Sequence, residues 1–166
     1  TGIGRTGSLF CFQQYGIRPD VVTMAKGLGG GVPVGAVLAA ESCANVLTPG
    51  THATTFGGTP LVCAAANAVL DTVGDGQFLA QVKEKGEYLK NGILSIGSPN
   101  ILGVRGMGLM LGIIVEDGKH AAYANKLIEK GVLALTAGKN AVRLLPPLTI
   151  SKEEMDEALT IMKEVF

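Results

Sequence analysis

Short apolar runs separated by glycine-rich breaks fill the first third of the chain, and helical periodicity takes over afterwards. PDVVTMA (19–25) starts on a proline and carries β-branched residues, which predicts a short strand or extended run ending at Lys26. GAVLAA (35–40) is apolar throughout, the pattern of a strand buried on both faces of a sheet. Residues 41–47 are expected to make one short helix, stopped by Thr48, Pro49 and Gly50. THATTFGGTP (51–60) is a polar, glycine-containing loop. Its last residue, Pro60, opens the alanine-rich helix LVCAAANAVLDTV.

After the break at Gly74-Asp75-Gly76, residues 78–93 resume helical spacing, with Phe78, Val82, Tyr88 and Leu89 near one face. ILGVRGMGLMLGIIVE then suggests two extended runs around a glycine-rich bend. A helix over 120–130 ends at Gly131, and the strands VLALT and AVRLL follow it. Ser151 with Glu154 three residues on is a capping box, opening a last helix that runs to Phe166. The front therefore reads as the end of an α/β layer, the middle as helices and the rear as a small α+β lobe.

Composition narrows the field. A hydrophobic content of 47% excludes a disordered chain, and no apolar run reaches the length of a membrane span. Fourteen basic residues balance fourteen acidic ones, without the basic stripe that a nucleic-acid binder needs. Cys11, Cys43 and Cys63 are far apart and there are only two histidines, so neither a disulfide framework nor a zinc site is expected. Each cysteine reads as a small buried apolar residue, and a reducing, cytoplasmic setting fits best. TGIGRTG reads like the middle of a loop, so a piece of a longer polypeptide is expected.

The chemistry centres on Lys26, which stands before the glycine-rich turn GLGGG. A dinucleotide fingerprint would open a helix, whereas these glycines lead through Pro33 into a strand. A Walker loop places its lysine after the glycines, followed by Ser or Thr. Two readings stay open: a solvated loop lysine, or an amine presented to a carbonyl for Schiff-base chemistry. Glycines there would let a ligand approach the backbone closely.

PDVVTMAKGLGGGVPVGAVLA resembles the cofactor-lysine segment of the class III aminotransferases, fold-type I enzymes that use pyridoxal 5′-phosphate. The resemblance begins at TGIGRTGSLFCFQQYGIRPD and continues through HATTFGGTPLVCAAANAVLD, VRGMGLMLGI and VRLLPPLTIS, in order over nearly the whole chain. It implies that Lys26 is the catalytic lysine, bound covalently to the cofactor and moving a proton during turnover. It implies that Thr55 binds the cofactor phosphate of the partner subunit in a homodimer, with Thr54 as its near neighbour. Arg143 would bind the substrate carboxylate, a structural ion pair being the alternative. Arg105 is expected to be architectural, MGLMLG to be packing and His52 to be a plain loop residue.

The resemblance further implies an α/β fold divided into a cofactor-domain portion (1–75), a connecting helix (76–100) and a small α+β domain (101–166). The pyridine-pairing acid, the glycine-rich phosphate loop and the ring-stacking aromatic would lie upstream. RLLPPLTI is most similar to members that pass the δ-amine of N-acetylornithine to 2-oxoglutarate, in arginine biosynthesis. Ornithine, succinylornithine and 4-aminobutyrate remain alternative donors. The rival from another class is a non-catalytic oligomerisation module in which Lys26 is merely solvated.

Overall fold

The computed structural model describes residues 1–166. It is a mixed α/β chain that divides into two compact units. The first comprises Thr1–Gly4 and Ser8–Leu79, and the second Arg5–Gly7 and Ala80–Phe166.

In the first unit, β1 (Val21–Met24) pairs antiparallel with β2 (Ala36–Ala39), in the register Val21↔Ala39 to Met24↔Ala36. The connection holds a 3₁₀ turn, Lys26–Gly29, which Gly30 closes in the left-handed region at φ 59°. Leu28 and Gly29 in that turn are buried, and Gly30 packs against Val69 of helix α1 (Pro60–Val73). A side chain at Gly30 would drive a Cβ to 2.9 Å from the Val69 methyl, so glycine is required by both torsion and space.

Three expectations fail in this unit. β2 is not buried on both faces: Val37 is 57% and Leu38 54% exposed, because the sheet has only two strands and nothing covers it. Residues 41–47 form one 3₁₀ turn, Glu41–Cys43, with no side-chain cap to nucleate more. None of the cysteines is buried. Cys63 is exposed on α1, Cys11 and Cys43 are half-buried, and all three are free.

The second unit holds a four-stranded antiparallel sheet in the order β3-β4-β6-β5. Its strands are β3 (Gly103–Met107), β4 (Met110–Ile114), β5 (Leu135–Ala137) and β6 (Ala141–Leu144). β5 starts later than VLALT predicts. Gly131 turns at φ 94° and the Val132 amide closes the preceding helix onto the Leu127 carbonyl, so the chain extends only afterwards.

The period of two along β4 and β6 sends Leu111, Ile113, Val142 and Leu144 to a buried face, all at most 5% exposed. Helices α2 (Gly76–Ser95), α3 (His120–Glu129) and α4 (Lys152–Val165) complete this core with Val82, Leu89, Ile93, Leu127, Met155 and Met162. Tyr88 is not on the buried face of α2. One residue from Leu89 it is turned about 100° away, and its hydroxyl donates to Asp156 on α4 instead. The Ser151–Glu154 capping box forms as expected, with the Glu154 amide 3.1 Å from Ser151 Oγ and the Ser151 amide 2.7 Å from Glu154 Oε2.

Residues 5–7 join this unit by backbone packing. Gly86 of α2 faces the Gly108 carbonyl so closely that any Cβ there would overlap it. Gly108, at φ 50°, has no room for a side chain either, since its Cβ would lie 2.7 Å from the Arg5 carbonyl oxygen. Helix, hairpin turn and N-terminal strap thus stack backbone on backbone.

Candidate active site

Lys26 follows directly from the end of β1 and begins the 3₁₀ turn. It is the chain's one non-glycine residue with positive φ, at 52°. A side chain in the left-handed region costs of order 1–3 kcal/mol unless its surroundings impose it. Here β1 arrives from one side and the glycine turn anchored by buried Leu28 leaves on the other. The exposed amine has neither ion pair nor hydrogen bond, since the ion pairs of the chain are Lys130–Glu164 and Lys152–Asp156.

A cleft of about 480 Å³ lies beside it, lined by Thr1 to Ile3, Phe10 to Phe12 and Val22 to Lys26. That volume suits a cofactor-sized molecule. Phe10 and Phe12 stack with ring centroids 5.4 Å apart and give the cleft an aromatic wall. Lys26 is its only charged side chain, and no carboxylate lines it. The cleft therefore fits an electrophilic planar group that an amine can hold, and it offers no acid to pair with a ring nitrogen.

Thr55 lies outside that lining, in the exposed loop between residues 51 and 59, with a hydroxyl that bonds to no group of this chain. Thr54 packs its methyl against Gly57, and His52 is an exposed loop residue as expected.

Arg143 sits in the middle of β6, between Gly112 of β4 and Leu135 of β5. Its Nε is buried and has no hydrogen-bond partner, and no carboxylate pairs with the guanidinium. A buried donor left unsatisfied costs about 1–3 kcal/mol, and within this chain the guanidinium makes no ion pair. Arg105 is not held by hydrogen bonds either. The arginine that braces the fold is Arg5, whose Nη1 donates to the carbonyls of Leu109, at 3.1 Å, and of Pro146. Burial holds its pKa below the ordinary guanidinium value. Nothing in the sequence pattern announced Arg5, because an arginine in a glycine-rich stretch has no hydrophobic period and its carbonyl partners lie over a hundred residues away.

Lys26 and its cleft belong to the first unit, and Arg143 belongs to the second. In comparison with known proteins, all of residues 1–166 match the family model described as Aminotransferase class-III. The chain belongs to the class III aminotransferases. It is 50% identical to the acetylornithine aminotransferase of Oceanobacillus iheyensis, over 99% of this chain and 42% of that protein. Its identity to the acetylornithine aminotransferase of Bacillus subtilis is 47%, over 100% and 43% of the two chains.

Among solved structures, the acetylornithine aminotransferase of Elizabethkingia anophelis superposes with a TM-score of 0.89 at 35% identity, over 99% of this chain and 45% of that one. An ornithine aminotransferase of Toxoplasma gondii, described with partial occupancy of PLP at its active site, gives 0.90 at 32%, over 100% and 40%. This class III chain thus spans less than half the length of the curated relatives it matches.

Proposed function

We propose that the polypeptide carrying this chain is a pyridoxal 5′-phosphate-dependent aminotransferase that passes the δ-amine of N-acetylornithine to 2-oxoglutarate. The observation that carries this reading is Lys26: its unpaired amine, in positive-φ backbone, opens on a cofactor-sized cleft. The relatives' names support the choice of amino donor. In this reading residues 1–75 belong to the cofactor domain, 76–100 to the connecting helix and 101–166 to the small lobe. The enzyme works as a cytoplasmic homodimer in arginine biosynthesis.

Lys26 Nζ would hold the cofactor, and Thr55 would donate its hydroxyl to the phosphate bound by the partner subunit. When bound, the cofactor supplies an electron sink for the carbon that carries the transferred amine. Lys26 Nζ would take up the proton which that carbon loses and pass it on to the bound cofactor, a task for a mobile amine that a guanidinium cannot perform. Arg143 grips a substrate carboxylate with parallel hydrogen bonds and so fixes the orientation of the bond that breaks. With no carboxylate in the cleft and less than half of the relatives' length present, these 166 residues by themselves are read as inactive.

Borohydride reduction of the cofactor-loaded full-length protein, followed by peptide mapping, tests the assignment. The reading expects one labelled lysine, Lys26, and loss of that label with an activity decrease of at least about 10²–10⁴-fold in Lys26→Ala. Labels scattered over surface lysines would support the oligomerisation module instead, and an active Lys26→Ala would overturn the assignment of Lys26.

A further inference from the structure

Strand β6 ends against a proline. The Val115 amide donates to the Asn140 carbonyl at 2.9 Å, which makes these two residues a hydrogen-bonded pair of the β4–β6 ladder. Such pairs recur at every second position of an antiparallel ladder, so Ile113 with Val142 and Leu111 with Leu144 are the next two. One step further in the same register stand Leu109 and Pro146. Proline has no N–H, so it cannot complete a rung there.

Arg5 supplies what the proline lacks. The Leu109 amide donates to the Arg5 carbonyl at 3.0 Å. The Arg5 guanidinium donates through Nη1 back to the Leu109 carbonyl, at 3.1 Å, and across to the Pro146 carbonyl. One residue thereby answers both carbonyls and the single amide of the broken rung. The strap comes this close because Gly108 has no Cβ to strike the Arg5 carbonyl. Next along, the Pro147 carbonyl accepts from the Ile150 amide at 3.1 Å and the Leu148 carbonyl from Lys85 Nζ at 3.3 Å. Of these braces only Arg5 acts on the ladder itself. Arg143 lies between the rungs at Val142 and Leu144. Without Arg5 the rung at Leu144 is the last, directly beside Arg143, and terminal rungs open most readily.

We infer that Arg5 is a positioning residue for Arg143: it stands in for the rung that Pro146 removes and so keeps β6 paired to β4 past the strand's arginine. Resting on the transaminase reading, in which Arg143 grips a substrate carboxylate, this gives Arg5 an effect on substrate affinity that acts only through the strand.

The test uses the full-length, cofactor-loaded protein and its Arg5→Met variant, with N-acetylornithine kinetics beside amide hydrogen exchange of β6. Exchange there should quicken, and KM should rise about 3–10-fold, the size of one lost hydrogen bond, with kcat nearly unchanged. Adding Pro146→Ala to Arg5→Met returns an N–H to the ladder. The double variant should recover part of the KM and of the exchange protection, and it covers the case in which Arg5→Met folds poorly. In an Arg143→Gln background, Arg5→Met should move KM by less than about twofold, because the group being positioned is gone. Lys85→Met, which frees a carbonyl beyond the ladder, should leave KM at the parent value. An unchanged KM in Arg5→Met, an equal rise in both backgrounds or in Lys85→Met, or no recovery with Pro146→Ala overturns the positioning role while leaving the transaminase reading intact. Quickened exchange that Pro146→Ala reverses, in a protein whose KM ignores Arg143→Gln, would keep the substitute rung and overturn Arg143 as the carboxylate ligand.

Discussion

The two units of this chain divide their labour unevenly. The second buries a continuous set of large side chains, among them Ile93, Leu109, Ile113, Leu127 and Met162, all below 2% exposed. The first buries little beyond Ile3, Leu28, Val62 and Val73, and leaves Val46 71%, Phe56 81% and Leu61 71% exposed. Yet the lysine with the unusual backbone belongs to the first unit. The lysine proposed as reactive thus lies in the unit whose own packing is the thinner of the two.

Unequal cores predict unequal sensitivity. Leu127→Ala, in the fully packed region, should destabilise the chain by about 2–5 kcal/mol, whereas Phe56→Ser should change stability by no more than about 0.5 kcal/mol. Urea melts of the two variants beside the parent decide it, and equal losses would erase the distinction between the units. Gly86→Ala sharpens the same contrast. The added methyl meets a backbone carbonyl that is itself pressed against the Arg5–Gly7 strap, so overpacking of about 1–3 kcal/mol is expected. A neutral result there would mean that the strap yields.

The smallest expected effect concerns pH. The Asp156 carboxyl is held below its ordinary value by hydrogen bonds from Lys152, at 2.7 Å, and from Tyr88. A depressed carboxylate stabilises the fold above its unfolded pKa, and that contribution is lost as pH falls through the folded value. The Lys152 ammonium is raised, chiefly by its bond to Asp156, and loses its contribution only at the alkaline end. All of these groups are exposed, so solvent screens them. Asp156→Asn should flatten the acid limb of a plot of Tm against pH below about pH 4 and barely move Tm at neutrality. A large neutral shift would show that this link between α2 and α4 matters more than its exposure implies.

The sequence revealed most about the second unit, because its helices and strands carry their own periodicity, caps and glycine stops. The Ser151–Glu154 box and the Gly131 stop stand where the pattern put them. The first unit was harder. GAVLAA declares that an apolar run wants cover without saying where the cover is, and within these residues it has only β1 as a neighbour. Lys26 was legible as a site candidate from its glycine neighbours, but not its left-handed backbone, since the residues that advertise that region are glycine and asparagine. The pairing of Arg143 with Gly112 was invisible for another reason. It exists only once strand register is fixed, and register is a property of pairing and not of any one segment.

That backbone angle at position 26 has a practical corollary for anyone wanting a silent copy of the protein. Removing the amine with alanine keeps a Cβ in a torsional region that glycine occupies far more comfortably, so the copy inherits the discomfort without the amine. Glycine removes both together. If the parent tolerates its lysine only for what the nitrogen does, the glycine copy will be the sturdier molecule of the two.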